Sequence, residues 1–315
     1  MGRKRKGDAV SGWICLDKPV GLGSTPAVSR VRRAFNAQKA GHAGTLDPLA
    51  GGVLPIALGE ATKTVSYMMD AEKSYRFTIA WGETTASYDR EGATIASSDV
   101  RPAPDAVAEL LKSFVGEIDQ IPPTYSAIKV DGERAYDLAR EGVEMDLKPR
   151  RVIIHCAAVV EAQDEGHVEI EIDCGKGTYV RALARDLASG LGACGHVSSL
   201  TRTRVGPFEL GSAIALEKLE TMCHMAAGSE VLLPVETALD DIPALAVTNE
   251  DAFRLSQGRP IVLLPRQIET LQARLASPDG AGFASRTVLA TSGGVLVAIC
   301  EMRAGQLGPT RVFNP

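Results

Sequence analysis

Apolar and polar positions alternate most cleanly over Lys73–Trp81, where Tyr75, Phe77, Ile79 and Trp81 fall on one face and Arg76 and Thr78 on the other. A period of two predicts a half-buried strand. Strands are also expected at Gly12–Asp17, Val53–Leu58, Ala127–Val130, Arg151–Val160 and His167–Cys174. After Ser24, a candidate N-cap, the period changes: Val28, Val31 and Phe35 share one face, which predicts a helix. Further helices are expected over Thr62–Met69, Asp105–Val115, Glu133–Glu141 and Tyr179–Ser189, the last three ended by Gly116, Gly142 and Gly190. Gly41–Gly52 holds four glycines and a proline and is expected to be irregular.

These elements lack a regular strand–helix beat, and short turns join several strands. The pattern favours an α+β fold with a mixed, largely antiparallel sheet. Pro234 and Pro243 lie in an acidic stretch that marks the expected domain boundary. Residues 1–10 then form a basic, disordered tail, 11–245 a first domain with an unusual block at 118–150, and 246–315 a small second domain.

Composition narrows the class. Hydrophobic residues make up 45% and charged residues 23%, and no run of 18 apolar residues occurs, so a chain without a transmembrane helix is expected. The basic start lacks an apolar segment after it, so no secretory leader is expected and the cytoplasm is the expected location. The six cysteines form no C-x-x-C pair and read as reduced thiols buried in the fold. A net charge of −5 argues against nucleic acid only until it is divided. Residues 209–251 hold nine acids against Lys218, whereas 252–315 hold seven arginines against three acids. RNA binding is therefore allowed.

Chemistry concentrates in Gly41-His42-Ala43-Gly44-Thr45-Leu46-Asp47-Pro48-Leu49-Ala50-Gly51-Gly52. Glycines let backbone approach a ligand closely. A lone carboxylate between Leu46 and Leu49 could be a nucleophile or a general base, or could simply start a turn. His42 and Asp47 have no further histidine or cysteine at ligand spacing, so no metal is expected.

The same loop resembles the signature of the TruB family of tRNA pseudouridine synthases. Other segments resemble the family in its own order. They are Trp13 to Pro19, Ala61-Thr62-Lys63, Lys73-Ser74-Tyr75, Tyr125 to Lys129 with Arg134-Ala135-Tyr136, Lys176 to Arg181, and Leu200 to Thr203 with Gly206-Pro207-Phe208. The resemblance implies an isomerase that converts a uridine in the tRNA T-loop, uridine-55, with Asp47 as nucleophile. It further implies Arg181 as the carboxylate's partner, Tyr75 stacked on the base, Tyr179 and Leu200 lining the uracil pocket, and His42 entering the loop. Lys63, Lys129, Arg134, Lys148, Arg150 and Arg151 are candidates for gripping phosphates. Phe253 to Pro260 resembles the start of a PUA-like β domain. The implied partner is the T-stem and loop of tRNA, and a monomer is expected. Two other readings use the same scaffold: an RNA-binding aid to tRNA folding, and a guide-dependent synthase like dyskerin.

Overall fold

Tyr75, Phe77, Ile79 and Trp81 are all buried, as the alternation requires, and their strand sits in a ten-stranded mixed sheet. The spatial order is β14 (Ile214–Ala215), β1 (Gly12–Lys18), β3 (Gly51–Leu58), β12 (Gly195–Val205), β4 (Lys73–Trp81), β11 (His167–Cys174), β10 (Arg150–Asp164) and β7 (Gly116–Gln120). Two short strands complete it, β2 (Ala40–His42) beside β3 and β13 (Phe208–Glu209) beside β12. β14 with β1 and β12 with β3 are parallel, and the remaining pairs are antiparallel. β5 (Glu83–Thr85) with β6 (Thr94–Ser97), and β8 (Lys129–Val130) with β9 (Glu133–Arg134), form separate hairpins. This computed structural model describes residues 7–126, 128–130, 133–134, 143, 145–225, 227–275 and 286–314.

Helices α1 (Ser24–Ala34), α3 (Pro104–Lys112), α4 (Val180–Gly190) and α5 (Leu216–His224) cover one face of the sheet. Val31, Val107, Leu183 and Leu219 meet Ile14, Leu54, Phe77 and Ile170 there, all essentially without exposure. Each such side chain contributes about 1.5–3 kcal/mol by leaving water. Trp13, Val53, Val205 and Phe208 form a second cluster, with the Trp13 and Phe208 rings 5.4 Å apart. Helix α2 (Val65–Asp70) lies beside it through Met68.

A separate five-stranded sheet forms the small C-terminal β domain, in the order β15 (Ala244–Ala246), β17 (Thr287–Ser292), β18 (Val295–Arg303), β19 (Gln306–Val312) and β16 (Ile261–Val262). Helices α6 (Asn249–Ser256) and α7 (Pro265–Leu275) pack on it through Leu255 and Leu271. Leu239, Ile242, Leu289 and Phe313 join the two units, with Tyr67 against them. A polar clasp lies alongside. Lys63 Nζ donates to Val312 O at 2.7 Å and to Glu60 Oε2, the Phe313 ring sits under it, and Asn314 N donates to Glu60 Oε2 at 2.9 Å.

Several sequence expectations need correction. Residues 1–6 lie outside the described residues, but Gly7–Val10 is not a loose tail: Asp8 N donates to Asn36 O and Gln38 N to Asp8 O. The helix expected at Glu133–Glu141 starts instead as strand β9, paired with β8, and 135–142 lie outside the described residues, as does Ala127. Thr62–Met69 splits into a 3-10 turn, Gly59–Lys63, and α2. Gly41–Gly52 is irregular only between β2 and β3, because both its ends join the sheet. Ser24 is not the N-cap. Gly23 holds that place and the Ser24 hydroxyl is used elsewhere. Of the six free thiols, Cys15, Cys174 and Cys300 are buried and Cys156 is exposed.

Candidate active site

Pro55 determines where the Asp47 loop leaves the sheet. β2 runs against β3 as far as His42 opposite Ile56, and Ala43 N then donates to Pro55 O at 3.0 Å. Proline has no N–H to return, so the ladder ends there and the chain turns away. Gly44 takes φ +88°, and at Gly52, φ +92°, a Cβ would lie 2.3 Å from the Arg202 carbonyl. Between them Leu46 and Leu49 are buried in the main core, fixing the loop on either side of Asp47. The Ser24 hydroxyl donates to Leu46 O and accepts from Leu46 N, both at 2.8 Å.

Arg181 comes from the other side, in the first turn of α4. Gln120, at the end of β7, brackets Tyr179 by accepting from its N–H at 2.8 Å and donating to its carbonyl at 3.2 Å. A cation in a first turn faces the unfavourable end of the helix dipole. Two carboxylates offset this: Asp47 Oδ2 lies 2.8 Å from Nη2 and Asp89 Oδ2 3.5 Å from Nη1. The guanidinium also donates to Ser87 O at 3.0 Å and Tyr125 O at 2.8 Å. Over the pair opens a cleft of about 700 Å³, lined among others by Thr25, Leu49, Glu91, Tyr125 and Ser126.

The other expected site residues divide. Tyr75 and Tyr179 both feel the Asp47 charge; burial pushes both hydroxyls up, and Asp47 adds to the rise. Leu200 is buried opposite Phe77 in the main core. Burial, with Arg202 near, pushes His42 below the usual imidazole range, and its buried Nδ1 has no hydrogen-bond partner among the described residues. Lys63 is engaged in the clasp to β19 rather than facing the cleft. Lys129 and Arg134 are cross-strand partners in the β8–β9 hairpin.

Three charged groups escaped the sequence reading. Asp89, with a side chain only 4% exposed, accepts from Ser87 Oγ at 2.6 Å and Glu91 N at 3.0 Å. Lys18 is fully buried with Nζ on Pro19 O and Leu22 O; burial pulls it down to about 8 while Asp47 pulls the other way. Arg202 is the third. The arrangement amounts to a carboxylate held by a buried guanidinium at a cleft wide enough for a nucleobase, with tyrosines close by. Among the described residues no cluster of three or more metal-binding side chains occurs, and no helix is long and apolar enough to cross a membrane.

Residues 32–180 match the family described as TruB family pseudouridylate synthase (N terminal domain), and residues 181–240 that described as tRNA pseudouridylate synthase B C-terminal domain. The chain is 69% identical to a tRNA pseudouridine synthase B of Caulobacter sp. (strain K31), over 100% of this chain and 99% of that one. It is 54% identical to the protein of that name from Nitrobacter winogradskyi, over 99% and 85%. A solved chain of a Cbf5-Nop10-Gar1 complex superposes with a TM-score of 0.71 at 25% identity, covering 96% of this chain and 85% of that one.

Proposed function

We propose, from the premise that this chain belongs to the TruB family of pseudouridylate synthases, that it isomerises the T-loop uridine of tRNA, uridine-55, using Asp47 as its nucleophile. The observation that carries the assignment of Asp47 is its contact with Arg181 at the mouth of the cleft, 2.8 Å between charged atoms. A base inside a folded loop must be extruded before it can be attacked. The Asp47 carboxylate attacks the nucleotide while the base detaches, rotates and rejoins through carbon, and the amino acid is then released. Arg181 holds the carboxylate in place as its ion-pair partner in a partly dry site.

Tyr75 lies near enough to feel that charge and is assigned to stack on the base and take up the C5 proton after reattachment. Tyr179 and Leu200 shape the uracil pocket, and the neutral His42 ring enters the RNA loop. Lys129, Arg134, Lys148, Arg150 and Arg151 are left for phosphates. The C-terminal sheet, residues 244–314, is read as the PUA-like unit, and the chain as a cytoplasmic monomer that needs no metal or cofactor. The relatives at 69% and 54% identity bear the tRNA name, whereas the likeness to Cbf5 is one of fold at 25% identity. That favours the tRNA enzyme over a guide-dependent one.

The test is to incubate purified protein with a T-stem-loop hairpin and map pseudouridine at single-nucleotide resolution. Product at the expected uridine supports the reading. RNA that is bound but never isomerised would overturn the reading and leave the folding aid and the guide-dependent synthase as the alternatives.

A further inference from the structure

Beneath the Asp47 loop lie three cations with almost no exposure, Lys18, Lys73 and Arg202. Lys18 and Lys73 each close on backbone carbonyls within four residues of themselves. Arg202 reaches further. Its Nε donates to Val53 O on β3 at 2.8 Å, its Nη2 to Gly44 O at 3.2 Å and its Nη1 to Thr45 O at 3.4 Å. The last two carbonyls belong to the segment that runs into Leu46 and Asp47. Arg202 is also the direct antiparallel partner of Tyr75, so the two side chains stand on the same face of the sheet. The guanidinium lies close enough to the tyrosine hydroxyl to act on its charge.

We propose that Arg202 is a positioning residue for the isomerisation, tying the start of the Asp47 loop to the Tyr75 hydroxyl and so setting where the tyrosine oxygen stands relative to the carboxylate. A planar fork reaches three carbonyls while keeping its charge beside the phenol, which a lysine cannot do. The charge matters as well as the reach. Around Tyr75, burial, Cys174 and Asp47 all push the hydroxyl up, and Arg202 pushes it down. Around Arg202 the facing titratable groups are Lys18, Lys73 and His42, and Arg202 lowers each of them. Removing the cation leaves Tyr75 among groups that favour its neutral form and makes it slower to accept a proton.

This inference rests on the isomerase reading, and its test separates the two. Single-turnover rates on a T-stem-loop hairpin are measured against pH for wild type, Arg202→Gln and Arg202→Lys. Arg202→Gln is expected to lower the rate near neutral pH about ten- to a hundredfold, the worth of a hydrogen bond to a charged group. Its rising alkaline limb is expected to move to higher pH, with Arg202→Lys restoring that limb in part and RNA affinity unchanged. If Arg202→Gln does not fold, displacement of the limb in Arg202→Lys carries the same test. A fall by one common factor at every pH, or no fall, overturns the proposal, because a merely structural arginine would give that. An inactive wild type would sink the isomerase reading instead.

Discussion

Arg181 and Asp47 meet at 2.8 Å, yet their side chains are 6% and 37% exposed respectively. The cation is sealed behind Ser87 O and Tyr125 O, while the carboxylate faces the cleft. A buried guanidinium holds one oxygen of a more open carboxylate that lines the cleft, an arrangement that suits the nucleophile proposed.

Asp47→Asn and Asp47→Ala are expected to abolish isomerisation and to leave RNA affinity nearly unchanged. An amide cannot form the transient bond, and affinity comes from many other contacts. Turnover by purified Asp47→Ala, in a preparation checked for wild-type carry-over, would refute the nucleophile.

Arg181→Met should be worse than a loss of activity alone. It strands Asp89, whose side chain is 4% exposed, as well as Asp47. An uncompensated buried charge costs about 3–5 kcal/mol, so the variant should also melt markedly lower. Arg181→Lys should recover only part of each, for want of the fork. Wild-type stability in Arg181→Met, measured by denaturant unfolding, would mean that Asp89 draws its support elsewhere.

RNA shape should matter more than RNA sequence. Burial, with Arg202 near, favours the neutral form of His42, which suits the role proposed for its ring, entering a folded loop. An isolated T-stem-loop should react and an unstructured strand of the same bases should not. Binding should weaken steeply with salt as phosphates release counterions. Equal rates on hairpin and strand at one ionic strength would defeat the idea.

Alkaline solution should destabilise the fold. Burial pushes Cys15 and Cys174 up to about 11 and Cys300 up to about 12 from an ordinary 9.0. Between pH 9 and 11 these thiols stay protonated when folded but ionise when unfolded, so stability falls as pH rises. Lys18 and Lys73, lowered to about 8, act oppositely. Unfolding lets them take up protons between about 8 and 10.5, which adds stability as pH rises through that window. Up to about pH 10.5 the three thiols and the two lysines largely cancel; above it the lysines contribute no further change, while the thiols, with Tyr75 and Tyr179 raised in the same sense, still ionise more readily in the unfolded chain. Urea unfolding at about pH 10.5 and about pH 11.5 should show the net loss, and Cys300→Ala should reduce it. A gain in stability between those two values would reverse the assignment.

How much of this could be read in advance depended on how local each cause was. β4 was legible because its alternation is written within nine residues. The Asp47 loop showed itself through glycines that bend it, though not through Pro55, whose effect on β2 needs the pairing to be known. Ser24 misled because cap chemistry and a bond to Leu46 ask for the same hydroxyl. Asp89 left no signal: its neighbour Val197 bridges to it from far along the chain, and its segment has no period. Arg202 stood within the family-like segment Leu200–Thr203 with no role of its own, since burial of a cation on carbonyls has no signature in sequence.

The clasp of Lys63 on Val312 bridges 249 residues, and that of Asn314 on Glu60 bridges 254. A ribosome adding about 5–20 residues per second needs roughly 10–50 s to cover that distance. Every group assigned by the proposal to touch the uridine, and the Arg202 brace below it, has been synthesised by position 202. Once α5 has closed the main core, a nascent chain can hold Asp47 against Arg181 while Lys63 still lacks its distant acceptor. Chemistry precedes closure: the last strand arrives at a pocket already armed, and what it adds is the fixing of one domain upon the other.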